Sequence, residues 1–163
     1  MPSDGSNCPQ KYIDEWKEYA KNNNTEFRYI DNSKPNAEDE AEKLLSSNIL
    51  MITGGNTFKL LDNLRKSGLD NAIKEFTEKK EFVLAGFSAG AIVLTPTIEV
   101  SSLPVYDKNE VGLSDLTGLG IVNFEVFPHY KEQNHSKILE QYRKKAKNRI
   151  EEIPDEDYIS INL

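Results

Sequence analysis

The sequence predicts an α/β fold of three α/β/α layers, with a mostly parallel sheet covered by helices on both faces. Three observations predict it. Short apolar runs alternate with amphipathic segments of helical period, glycine-rich turns fall where a run gives way to a helix, and no repeat or linker-like break divides the chain. The 163 residues therefore read as one domain, 1–163. A chain of this size buries about two thirds of its unfolded surface without disulfide or metal staples.

The elements follow in order. Pro9 is a good first-turn residue, and the helix it opens carries Tyr12, Ile13, Trp16, Tyr19 and Ala20 on one face. "TEFRYI" reads as a strand. Residues 37–47 are helical, with acids early and Lys43 late as the helix dipole prefers, and they lead into "NILMIT", a buried strand. After "GGN" a helix from Thr57 to Ser67 places Phe58, Leu61 and Leu64 on one face and ends at Gly68. A second helix carries Leu69, Ala72, Ile73 and Phe76. Next comes the strand "EFVLA" and the turn "GFSAGA". Beyond "TIEV" and a turn-rich stretch to Gly120 lie the strand "IVNFEVF", the turn "PHY", a long helix from about Asn134 to Glu151 and a last strand "DYISINL". A domain of this class usually opens on a buried strand, so a first strand and a C-terminal segment are expected to be missing from this chain.

Composition narrows the partners. Acidic residues outnumber basic ones 27 to 20, and the net charge of −7 repels phosphate backbones and anionic membrane surfaces, so no nucleic-acid or membrane partner is expected. The basic run "YRKKAKNR" is threaded by Ile138, Leu139, Tyr142, Ala146 and Ile150 at helical spacing, which marks the solvated side of a helix. Cys8 is the only cysteine, so no internal disulfide forms and a reducing cytoplasm is the natural compartment. With no activating base beside it, it reads as inert. No apolar stretch approaches the ~20 residues a membrane span needs, and no signal pattern opens the chain.

Three turns carry the chemistry. Gly-x-Ser-x-Gly alone arises by chance in about one chain in twenty of this length. Here it sits between a strand and the helical "AIVL", the context of an elbow that exposes a serine oxygen. Ser88 is then a nucleophile and the Ala89 amide an oxyanion donor; the alternative is a small residue packed at a strand–helix junction. "GGNT" occupies the same kind of position. Gly54, Gly55 and Asn56 can turn backbone N–H groups into a cleft, or Asn56 can simply cap the helix. A serine needs a base, and of the two histidines His129 follows a strand whereas His135 opens a charged helix, which selects His129. With two histidines and one cysteine no metal site is expected, nor any cofactor.

"ITGGNTFKLLDNLRKSGL", "GFSAGAIVLTPTI" and "FPHY" together resemble the dipeptidase E and cyanophycinase family of serine peptidases, whose fold is similar to class I glutamine amidotransferases. The resemblance implies Ser88 as nucleophile, His129 as general base, and an oxyanion hole from the amides of Ala89 and Gly55. It also implies a core strand before "PSDGS" and a third triad acid shortly after the last strand. Aligned on "YISINL", that acid falls just past Leu163. Asp155, Glu156 and Asp157 precede that segment and read as turn and cap residues. Relatives that prefer N-terminal aspartate carry an acid that "TIEVSSLPVYD" lacks, so that specificity is not expected.

The expected function is acyl-transfer hydrolysis of short peptides by a Ser–His pair, in a soluble cytoplasmic protein, with a homodimer compatible. The alternatives are a non-catalytic peptide or small-molecule binding module on the same scaffold, and an esterase or amidase.

Overall fold

The computed structural model describes residues 1–35 and 37–163. Its elements run α1 (Gln10–Asn22), α2 (Glu38–Leu45), β1 (Ile49–Ile52), α3 (Thr57–Ser67), α4 (Leu69–Phe76), β2 (Val83–Gly86), α5 (Ala89–Val93), β3 (Glu125–Pro128), α6 (Glu132–Arg143) and β4 (Ile150–Ile153). Strands pair in parallel, β1 with β2 and β3 with β4, and helices connect them, as the α/β pattern requires. The two pairs form separate sheets, with no ladder joining them among the described residues.

The core follows from the helical stripes. Phe58, Leu61 and Leu64 of α3 meet Leu69, Ile73 and Phe76 of α4, together with Leu50 and Ile52 of β1, Ile92 and Val93 of α5, and Val126 and Phe127 of β3, all essentially shielded from solvent. Between α3 and α4 the chain turns at Gly68, whose φ of 78° lies in the left-handed region that glycine occupies without penalty.

Five expectations change. "TEFRYI" forms no ladder; it contributes Ile30 to the core and a Tyr29 hydroxyl that donates to the Gly5 carbonyl. The strand expected over "IVNFEVF" shortens to Glu125–Pro128. The last helix stops at Arg143 instead of Glu151, and the last strand is "IEEI", not "DYISINL". The cause is pairing: Glu125, Val126, Phe127 and Pro128 bond alongside Ile150 to Ile153, whereas Tyr158 to Leu163 have no partner strand among the described residues and lie exposed. Strand identity depends on the neighbour available more than on intrinsic preference. Finally, α1 forms where expected, but of its apolar stripe only Ala20 is buried; Tyr12, Trp16 and Tyr19 face solvent. At the chain start Met1 lies beside β1, donating from its amine to the Met51 carbonyl and accepting from the Thr53 amide.

Candidate active site

Parallel pairing puts the carboxyl ends of both strands of a pair on one edge, and both pairs use that edge for polar turns. In the first pair Ile52 lies opposite Gly86, and the Phe87 amide continues the ladder onto the Ile52 carbonyl at 2.9 Å. Two residues further on, Gly54 stands against Ser88. A Cβ added at Gly54 would lie 3.1 Å from the Ser88 Cβ.

Ser88 has φ 55° and ψ −117°, a conformation that costs a side-chain-bearing residue about 1–3 kcal/mol and persists only where its surroundings hold it. The flanking glycines make the turn possible. A Cβ at Gly86 would come within 2.6 Å of the Gly90 carbonyl oxygen, and one at Gly90 would run into the Ile52 carbonyl. The Ser88 carbonyl accepts from the Ala91 and Ile92 amides, so α5 begins at once and leaves the serine side chain, half-buried, at the tip of the elbow.

In the second pair Pro128 lies opposite Ile153, and the Tyr130 amide donates to the Ile153 carbonyl at 3.1 Å. His129 and Asp155 therefore leave the sheet side by side. His129 takes φ 58°, a second strained residue at this edge. Its Nε2 is 2.8 Å from Ser88 Oγ, and its Nδ1 is 2.5 Å from Asp155 Oδ1. The Asp155 carboxyl is held below the usual carboxylate range, first by the hydrogen bond from His129 and further by the charges of His129 and Lys131, whose Nζ is 3.5 Å away. Phe87 stands edge-on to the His129 ring at 6.0 Å and is largely exposed.

The structure thus brings Ser88, His129 and the Gly54–Gly55 turn together. It departs from the expectation for the acids: Asp155, read as a turn residue, is bonded to the His129 ring, two residues beyond β4. With "IEEI" as the last strand, Asp155 is the first acid after it and lies within the described chain. Both ends of the Asn56 side-chain amide are taken up, its oxygen accepting from the Lys59 amide as the α3 cap and its nitrogen donating to the Lys108 carbonyl at 2.9 Å. Gly55, at φ 127°, backs onto Ser3. His135 stands apart from the pair; its Nδ1 accepts from the Lys131 amide at the start of α6. A cavity of about 460 Å³ is lined by Thr97, Glu99, Asp115, Thr117, Glu125 and Lys147, none of which belongs to this group.

Fold and site define a parallel α/β protein with a serine elbow, a histidine and a carboxylate at the carboxyl ends of its strands. The chain belongs to peptidase family S51, whose model matches residues 3–162. It is 33% identical over 100 residues to an uncharacterized peptidase of Listeria monocytogenes, covering 61% of this chain and 48% of that one. It is 33% identical over 90 residues to Peptidase E of Salmonella arizonae, covering 55% and 37%. The chain spans about half or less of the length of these curated relatives. In fold it is similar to a Listeria monocytogenes crystal structure assigned to peptidase E, with a TM-score of 0.73 at 23% identity, covering 99% of this chain and 82% of that one. Among the described residues no helix is long and apolar enough to cross a membrane.

Proposed function

We propose that the chain is a serine peptidase acting on short peptides. The single observation that carries this is the continuous contact Ser88 Oγ, His129 Nε2, His129 Nδ1, Asp155 Oδ1, with both links within hydrogen-bond distance. Ser88 Oγ attacks the scissile carbonyl carbon while His129 Nε2 takes its proton. The oxyanion so formed is met by the amides of Ala89 and Gly55. On collapse, His129 returns the proton to the leaving amine, and a water then repeats the sequence in reverse roles to release the acyl group. Asp155, ionised, holds the His129 tautomer that carries hydrogen on Nδ1 and presents Nε2 to the serine. Gly54 lines the approach to Ser88, and Asn56, its side chain engaged in the cap, meets substrate through its backbone.

The family suits peptide substrates, and a reducing cytoplasm suits a chain with one free cysteine. The test is a side-by-side panel of dipeptides, simple esters and glutamine, with products read by mass. Peptide cleavage that disappears in Ser88→Ala supports the assignment. Ester turnover with every peptide intact would favour an esterase, and binding of peptides without turnover a binding module.

A further inference from the structure

Ser88 belongs to the sheet of β1 and β2, whereas His129 and Asp155 belong to that of β3 and β4, and no ladder fixes one sheet against the other among the described residues. The 2.8 Å contact between Ser88 and His129 therefore depends on something other than backbone pairing. One short loop holds both sides. The Tyr106 hydroxyl donates to the Pro128 carbonyl at 2.6 Å, directly before His129, and its ring packs 5.0 Å from that of Phe127. The next residue, Asp107, accepts from the Thr57 amide at 2.7 Å and the Thr57 hydroxyl at 2.8 Å, where α3 leaves the Gly54–Asn56 turn, and the Lys108 carbonyl accepts from Asn56. Thr57 is buried, and burial keeps the Tyr106 phenol above its usual range, so it stays a donor.

Resting on the serine-nucleophile reading above, we propose that Tyr106 and Asp107 form a clasp between the two strand ends, setting the Ser88–His129 spacing and the approach of the Gly54–Gly55 turn. They are positioning residues. Neither need touch substrate: Tyr106 acts through the Pro128 peptide, whose successor His129 is held at φ 58°, and Asp107 through the first turn of α3.

The test is the second-order rate of Ser88 labelling by a fluorophosphonate, expressed per folded molecule, in the 163-residue chain. Tyr106→Phe removes only the hydroxyl and Asp107→Ala only the carboxylate that accepts from Thr57. Each is expected to slow labelling about tenfold, since sub-ångström displacement of reacting groups is costly. If one clasp spans both grips, releasing either frees it, so the double variant falls little below the singles. Asp107→Asn keeps an acceptor for Thr57 and most of the rate. Variants that label at the wild-type rate per folded molecule, whatever their melting temperatures, would overturn the clasp, as would single effects that multiply in full. A folded wild-type chain that does not label would instead remove the nucleophile reading on which the clasp rests.

Discussion

Asp155 meets His129 because the parallel register of β3 and β4 sets Pro128 opposite Ile153, so that the residues following each strand emerge together and the carboxylate lies 2.5 Å from Nδ1. Replacing it is expected to separate reactivity from stability. Asp155→Asn offers Nδ1 an amide in place of a carboxylate and should lower labelling and hydrolysis by about 10³–10⁴, the scale of losing tautomer control in a triad. The side chain is about half exposed, at 47%, so the melting temperature should barely move. Glu156→Gln and Asp157→Asn, read with it as turn residues, serve as controls that should leave the rate unchanged. The measurement is labelling rate beside a thermal melt for each variant.

The same contact shapes the acid side of the pH profile. His129 and Lys131 hold the Asp155 carboxyl below its usual range, so it remains ionised at pH values where a free aspartate is half protonated. Its stabilising contact is present above the unfolded pKa and lost only as pH falls through the lower folded one. Titration of Asp155 followed by NMR is expected to show a midpoint below 3.8, moving upward in Lys131→Met and further in His129→Ala, the larger cause. An unchanged midpoint in His129→Ala would contradict the pairing.

Gly54 and Gly90 fail differently when a methyl group is added. At Gly90 the new Cβ meets the Ile52 carbonyl, backbone that cannot yield, so Gly90→Ala should destabilise by about 2 kcal/mol or more. At Gly54 the Cβ would lie 3.1 Å from that of Ser88, tight but adjustable by a small shift of the serine. Gly54→Ala should therefore fold normally and label about tenfold more slowly. Chemical denaturation and labelling rates distinguish the two outcomes.

How far the site was legible in the sequence follows from these neighbours. Ser88, the Gly54–Asn56 turn and His129 each follow a strand that announces itself by an apolar run, so their common edge could be read from "NILMIT", "EFVLA" and "NFEVF". Asp155 could not. Its strand, "IEEI", carries two glutamates and continues a charged helix without a visible break, while "DYISINL" has the stronger strand composition and no partner to pair with. Taking "DYISINL" as the last strand places the expected acid past Leu163, whereas the strand that pairs with β3 ends two residues before Asp155. A local signal is present: Pro-Asp directly after a short Ile-bounded run, as Pro-His stands at the end of β3. Tyr106 and Asp107 were invisible for another reason, since each acts across about twenty to fifty residues of chain on a backbone group. Likewise the stripe of α1 located a helix correctly but said nothing about what would cover Tyr12, Trp16 and Tyr19.

Away from the site, Glu125 is a buried carboxylate satisfied by the Tyr142 hydroxyl at 2.5 Å and the Asn148 amide nitrogen at 3.0 Å. Burial first, and then Glu125, push the Tyr142 phenol above its usual range, so it remains a donor at all ordinary pH. Tyr142→Phe conserves shape and removes the donor, leaving a buried oxygen unsatisfied at a cost of about 1–3 kcal/mol. Equilibrium unfolding in urea should show that loss, with labelling per folded molecule unchanged.

The most direct test of the proposed chemistry is intact-mass analysis of the folded chain after reaction with a fluorophosphonate. The arrangement of Ser88, His129 and Asp155 predicts a single adduct, mapped by peptide digestion to Ser88, absent in Ser88→Ala and slow to form in His129→Ala and Asp155→Asn. A folded wild-type chain that gains no adduct, or a Ser88→Ala chain that gains it at the same rate, would contradict the assignment of Ser88 as the nucleophile.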